Sequence, residues 1–140
     1  MKQLMCGLGL VWLFGGAMPA HAESWTIATR ANNIHCEVGD DPRRATLMCN
    51  IFRRSGPFAQ PKPDKCLHKW GHVYLIVERG PVRMLCLEAW KNNWPGNGKF
   101  DRGKPSEFRG IVCSATRNTL ACKNLDGHGF ELSRKVQKVF

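Results

Sequence analysis

The chain lacks an apolar run long enough to cross a bilayer. The N-terminal run from Leu4 to Gly16 is about 13 residues, against the ~20 that a helical span needs. It also lacks acid: 11 Asp and Glu stand against 21 Lys and Arg, a net charge of +10. No HExxH motif is present, which removes the common zinc-hydrolase signature. Large aliphatic residues are few for the length, so a hydrophobic core alone would give modest stability.

The short N-terminal run begins after Lys2 and ends near Ala20-His21-Ala22, with small residues at both positions of an A-x-A site. This is the pattern of a secretory signal peptide, so residues 1–22 are expected to be removed and residues 23–140 to form one domain. Cys6 precedes most of the apolar stretch, which argues against a lipid anchor. No membrane span is expected after cleavage, and the destination is the periplasm or the exterior.

Six cysteines then remain: Cys36, Cys49, Cys66, Cys86, Cys113 and Cys122. An even number in a small exported chain reads as a disulfide framework, and strand parity suggests its connectivity. Counting outward from Arg117-Asn118 sets Ala115 opposite Leu120 and Cys113 opposite Cys122 on one face of an antiparallel hairpin. Counting from Pro42-Arg43 sets Val38 opposite Leu47, Cys36 opposite Cys49 and Ile34 opposite Ile51. Asp41 and Pro42 suit the first two positions of a type I turn. Directly opposed Cα atoms, about 4.5 or 5.5 Å apart, fall within the disulfide range of roughly 4.4–6.8 Å. Cys66 has no hairpin partner of its own, so Cys86 is its expected mate. Each closed loop contributes about 3 kcal/mol in the chain-entropy account.

Elsewhere, Ser24–Thr29 alternates as a first strand does. Phe52–Cys66, with three prolines, reads as an extended connector. Val73–Val77 and Val82–Leu87 read as the central apolar hairpin; pairing Val77 with Val82 would put Val73, Leu75, Val77, Val82, Met84 and Cys86 on one face. Glu88–Phe108 is Gly- and Pro-rich without periodicity and reads as a long loop. A turn at Asp126–Gly129 leads to a last strand, then a short helical or extended tail, RKVQKVF. The expected fold is all-β: a small disulfide-stabilised antiparallel sheet or barrel built from hairpins, with a short C-terminal tail or helix.

Several pieces together resemble a family of small exported bacterial proteins catalogued as a domain of unknown function. They are Asn33-Ile34-His35-Cys36, Cys66 followed by Trp70-Gly71, Cys86, Gly110 to Cys113 with Cys122, and the terminal GHGFELSR from Gly127 to Arg134. The chain departs from that pattern at Arg30-Ala31-Asn32, where the family shows Pro-Ser-Gly, and in a longer segment from Trp90 to Lys104. The resemblance implies a secreted, disulfide-bonded β domain and brings no catalytic residue with it.

Two basic stretches are candidates for function. Arg53, Arg54, Lys62, Lys65 and Lys69 bracket the first connector. In the second, Trp90, Lys91, Trp94, Lys99, Arg102 and Lys104, with His128 beyond them, form a candidate binding surface on which cations meet an anionic polymer while an indole stacks on a ring. The plainer alternative is that the tryptophans cover one end of the core and the lysines are solvated, the charge serving solubility. His68 and His72 lack a third ligand by spacing, so neither metal nor other cofactor is expected. A hydrolase using His128, with Ser133 or Asp126, or using the His68 and His72 pair, is the alternative to a binding module. A purely structural accessory domain is a third reading. Cysteines held in disulfides cannot act as thiolate nucleophiles. The expected partner is an anionic envelope polymer or another exported protein. Nucleic acid is disfavoured by the compartment.

Overall fold

A computed structural model describes residues 25–41, 43–88 and 98–140; the expected signal peptide lies outside them. Among the described residues, eleven strands form two sheets. In the first, β1 (Trp25–Ala28), β2 (Ile34–Asp41), β3 (Arg44–Ile51), β4 (Val73–Val77) and β5 (Arg83–Leu85) make an antiparallel meander. The two-residue β6 (Gly98–Lys99) joins it in parallel at the far side of β1. The second sheet, β7 (Ser106–Phe108), β8 (Ile111–Ala115), β9 (Leu120–Lys123), β10 (Gly129–Leu132) and β11 (Gln137–Val139), is a second antiparallel meander. The fold is all-β, as its hairpin patterns imply, and among the described residues no helix is long and apolar enough to cross a membrane.

The two hairpins with readable turns have the expected registers. Val38 pairs with Leu47, Cys36 with Cys49 and Ile34 with Ile51; Cys113 pairs with Cys122 and Ala115 with Leu120. The Asp41 carboxylate accepts a 2.9 Å hydrogen bond from the Arg43 amide, the local contact that makes Asp favourable at this turn. Disulfides join Cys36 to Cys49, Cys66 to Cys86 and Cys113 to Cys122. The two cross-strand bridges have Cα separations of 4.0 and 4.1 Å, nearer to the non-hydrogen-bonded spacing than to the hydrogen-bonded one. Three oxidised pairs suit an oxidising compartment.

Two details differ from the sequence expectation, and a third decides between alternatives that it left open. First, β4 and β5 pair one residue out of the expected register: Tyr74 opposes Met84 and Val73 opposes Leu85. Because side chains alternate with period two, this slip turns Tyr74 and Ile76 inward with Val82 and Met84, and leaves Leu75 and Val77 only half-buried. Cys86 is half-buried at the edge of the core. The cause is the longer turn, in which Gly80 takes φ of 88°. Second, the segment expected to be one long loop holds β6 and β7. A two-residue turn at Arg109-Gly110, with φ of 46° and 87°, ties β7 to β8, the positive-φ pair that a type I′ hairpin requires. Third, of the two conformations expected for the terminal RKVQKVF, it takes the extended one and supplies β11.

The two sheets share one core. Tyr74 from the first meets Phe130 from the second with ring centroids 6.0 Å apart, and Phe100 meets Phe108 at 6.3 Å. Burial pushes the Tyr74 hydroxyl pKa up to about 12, while its proton is donated to the Gly71 carbonyl at 3.1 Å. Trp70 is buried, donating from Nε1 to the Gln60 carbonyl at 2.9 Å. It therefore anchors the proline-rich connector to the core.

A polar latch fastens the hairpin turns to each other. Buried Asn124 donates from Nδ2 to the Val77 and Gly80 carbonyls at 3.0 and 2.7 Å, while its Oδ1 accepts from the Asp126 and His128 amides, each at 3.1 Å. The Asp126 carboxylate receives Arg79 Nη1 at 2.6 Å and the Gly80 amide at 2.8 Å. The Gly80 amide, followed by Arg79, holds the Asp126 carboxyl below the usual carboxylate range. The turn at Asp126–Gly129 is thus ordered from Asn124.

Candidate anion-binding site

Where the ends of the two sheets meet, an open cleft of about 390 Å³ is lined by Asn33, Arg53, Asn118, Ser133, Arg134 and Lys135, with Ala31 at its side. Its charged side chains are all cationic. A second concavity of the same size, on the outer face of the second sheet, includes Glu131 and no cation. An anion entering the first therefore meets attraction, and one entering the second meets a carboxylate.

The lining backbone is held by specific contacts. Arg53 leaves the end of β3, and Asn33 grips it on both sides: the Arg53 amide donates to Asn33 Oδ1 at 2.9 Å, and Asn33 Nδ2 donates to the Arg53 carbonyl at 2.8 Å. With both its polar atoms so used, buried Asn33 shapes the cleft and leaves ligand contact to its neighbours. Arg134 lies in the turn between β10 and β11. Its carbonyl accepts from the Ser55 amide at 2.7 Å and from Gln137 Nε2 at 3.3 Å. Ser133 closes that turn on itself, accepting from the Val136 amide and donating to the Val136 carbonyl. Two arginines distant in sequence are thus presented from backbones fixed to each other through Ser55. That arrangement lowers the ordering cost of binding.

The adjacent arginines Arg53 and Arg54 are used differently. Arg53 is exposed, whereas Arg54 is consumed internally, bonded to Gln137 Oε1 at 3.0 Å and to the Gly56 and Pro57 carbonyls, with its guanidinium 4.5 Å from the centre of the Phe58 ring. Among the described residues, Arg53, Arg134 and Lys135 form no ion pair; the pairs present are Arg43 with Asp41 and Arg79 with Asp126. The cationic charge in the cleft is therefore not neutralised by those residues.

The other candidate residues fall as follows. Trp90, Lys91 and Trp94 lie outside the described residues. Lys99, on β6, donates to the Asn32 side chain next to the cleft. Arg102 and Lys104 are exposed beyond β6, and Arg102 forms an isolated parallel bridge with Ala115. His128 is half-buried on the latch turn, where its amide is capped by Asn124. The acid and hydroxyl considered as partners for His128 are engaged elsewhere: Asp126 with Arg79 and Gly80, and Ser133 with Val136. His72 uses Nδ1 to donate to the Ile51 carbonyl at 2.7 Å, and His68 is exposed. Among the described residues no group of three or more His, Cys, Asp or Glu is placed to hold a metal ion.

Sequence reasoning identified Arg53 as one of a basic run and missed its convergence with Asn118, Arg134 and Lys135. The local hint was the Arg134-Lys135 pair, with no acid directly beside it. The chain matches no protein-family model, no curated protein and no solved structure.

Proposed function

We propose that this is an exported β domain of the kind its cysteine pattern and GHGFELSR segment resemble, that it is a non-enzymatic binding domain, and that it holds an anionic partner of the cell envelope in the cleft between its sheet ends. The observation that carries the reading is the convergence of Arg53, Arg134 and Lys135 on one concave surface with no carboxylate in its lining. Guanidinium groups present paired donors that match carboxylate, sulfate or phosphate oxygens. The Asn33 and Ser55 anchors fix the backbone that carries these arginines without a ligand.

The test is retention on immobilised dextran sulfate. Arg53→Glu/Arg134→Glu should elute at clearly lower salt than Lys62→Glu/Lys65→Glu, which makes the same change of net charge on the exposed connector. Equal losses from the two variants would reduce the effect to overall charge and remove the cleft as the site.

A further inference from the structure

Resting on that reading, we infer that the cleft is the middle of a track for a linear acidic polysaccharide, a chain bearing several carboxylates or sulfate esters, rather than a pocket for one anion. The inference comes from what adjoins the lining. The Ala31 amide donates to the Arg117 carbonyl at 3.0 Å, which sets Arg30-Ala31 against Arg117-Asn118. Ala31 and Asn118 both line the cleft, so exposed Arg30 and Arg117 each stand one residue from it. Asn32, between Ala31 and Asn33, takes the Lys99 ammonium on its side-chain oxygen. Lys135, Arg134 and Arg53 thus line the cleft, Arg117 and Arg30 stand one residue from it, and Lys99 is tied to Asn32, itself one residue from the lining; none of the six has an ion-pair partner among the described residues.

Six like charges gathered in this way repel one another, and a monovalent anion would neutralise only one. A chain with an acid group on successive sugars neutralises several and binds as a multivalent ligand. The cleft lining contains no aromatic side chain. Single-strand nucleic-acid sites rely on such rings to stack bases, whereas a charged glycan can be held by cations and amides alone.

The experiment measures the affinity of the purified full-length secreted protein at several NaCl concentrations. The probes are polygalacturonate, dextran sulfate, a single-stranded DNA oligonucleotide, and the small anions galacturonate and sulfate. Both polysaccharides should bind at least about 100-fold more tightly than the small anions, the lower range of multivalent gain. A preference between the two would assign the acid as carboxylate or sulfate. The slope of log affinity against log salt should become shallower by about one for each cation removed, so Arg30→Ala/Arg117→Ala should reduce it by about two. A separate Lys99→Ala variant should reduce it by about one, guarding against a local folding fault in the double variant.

If galacturonate or sulfate binds as tightly as the polymers, or the flanking variants keep the wild-type slope, the track is overturned while the cleft reading stands. If Arg53→Glu/Arg134→Glu binds every anion as the charge-matched control does, the cleft reading itself falls. DNA binding tighter than both polysaccharides would overturn the polysaccharide assignment in favour of nucleic acid.

Discussion

Replacing Asn124 with aspartate exchanges one NH₂ for an oxygen, in a side chain that makes four hydrogen bonds while only 5% exposed. The two amides that donate to Oδ1 keep an acceptor. The Val77 and Gly80 carbonyls, at 3.0 and 2.7 Å from Nδ2, lose their donor and face an anionic oxygen instead. A buried polar group left unsatisfied costs about 1–3 kcal/mol, so two cost about 2–6 kcal/mol, a large share of the ~5–15 kcal/mol by which domains are stable. With a urea m value near 2 kcal/mol/M, a mid-range loss of about 4 kcal/mol lowers the urea midpoint by about 2 M. The new carboxyl should have its folded pKa raised by burial and by the facing carbonyls. Its penalty is therefore full above that pKa and shrinks as pH falls toward the unfolded value of about 3.9, because the protonated acid again donates one hydrogen bond. Urea titrations at pH 7 and pH 4.5, each against wild type at the same pH, should give a deficit for Asn124→Asp that narrows on acidification. Asn124→Ala should keep a constant deficit. An aspartate variant within about 0.5 kcal/mol of wild type at pH 7, the ordinary scatter of neutral surface changes, would refute the latch.

His35 gives a second pH test. Burial, then the charge of Lys99, lowers its pKa from the ordinary 6.5, against a backbone hydrogen bond with Asn32 that raises it. Its Nε2 is buried without a hydrogen-bond partner among the described residues, and its ring stands edge-on to Phe52 at 4.7 Å. The unfolded chain therefore binds the proton more readily. Stability should fall as pH drops below about 6.5 and level off below the lowered folded value. Denaturant titrations from pH 7.5 to pH 5 should show this slope in wild type and a flatter one in His35→Gln; identical slopes would exclude His35 as the source. Gly129→Ala tests the close approach of β10 to its neighbours: the added methyl collides with the Cys122 carbonyl and lies 2.8 Å from Phe140 Cζ. The expected cost is about 1–3 kcal/mol in the urea midpoint, and it should persist in Gly129→Ala/Phe140→Ala because the carbonyl does not move away. Full recovery in the double variant would assign the clash to the ring alone.

The sequence by itself determined the parts fixed by local chemistry. Alternation around two short turns set the registers of β2 with β3 and β8 with β9, and those registers placed Cys36 against Cys49 and Cys113 against Cys122. Where the turn was longer, as before β5, neighbouring registers were equally compatible with the apolar residues. Burial of Tyr74 against Phe130 accompanies the register that the fold adopts. β6 and β7 are too short to leave a period in the sequence and are fixed by their neighbours, β6 by pairing with β1 and β7 by the Arg109-Gly110 turn. Asn124 reads locally as a turn residue, yet it reaches Val77 and Gly80 in the opposite sheet. The candidate site lies furthest from local reading: Arg53 follows a strand of the first sheet, Arg134 lies in a turn of the second, and bonds from Asn33 and Ser55 help to hold them at one cleft. A strand pattern says which face a residue takes. Which cations remain unpaired, and which of them converge, depends on contacts between segments far apart in the chain, so tertiary structure alone decided it.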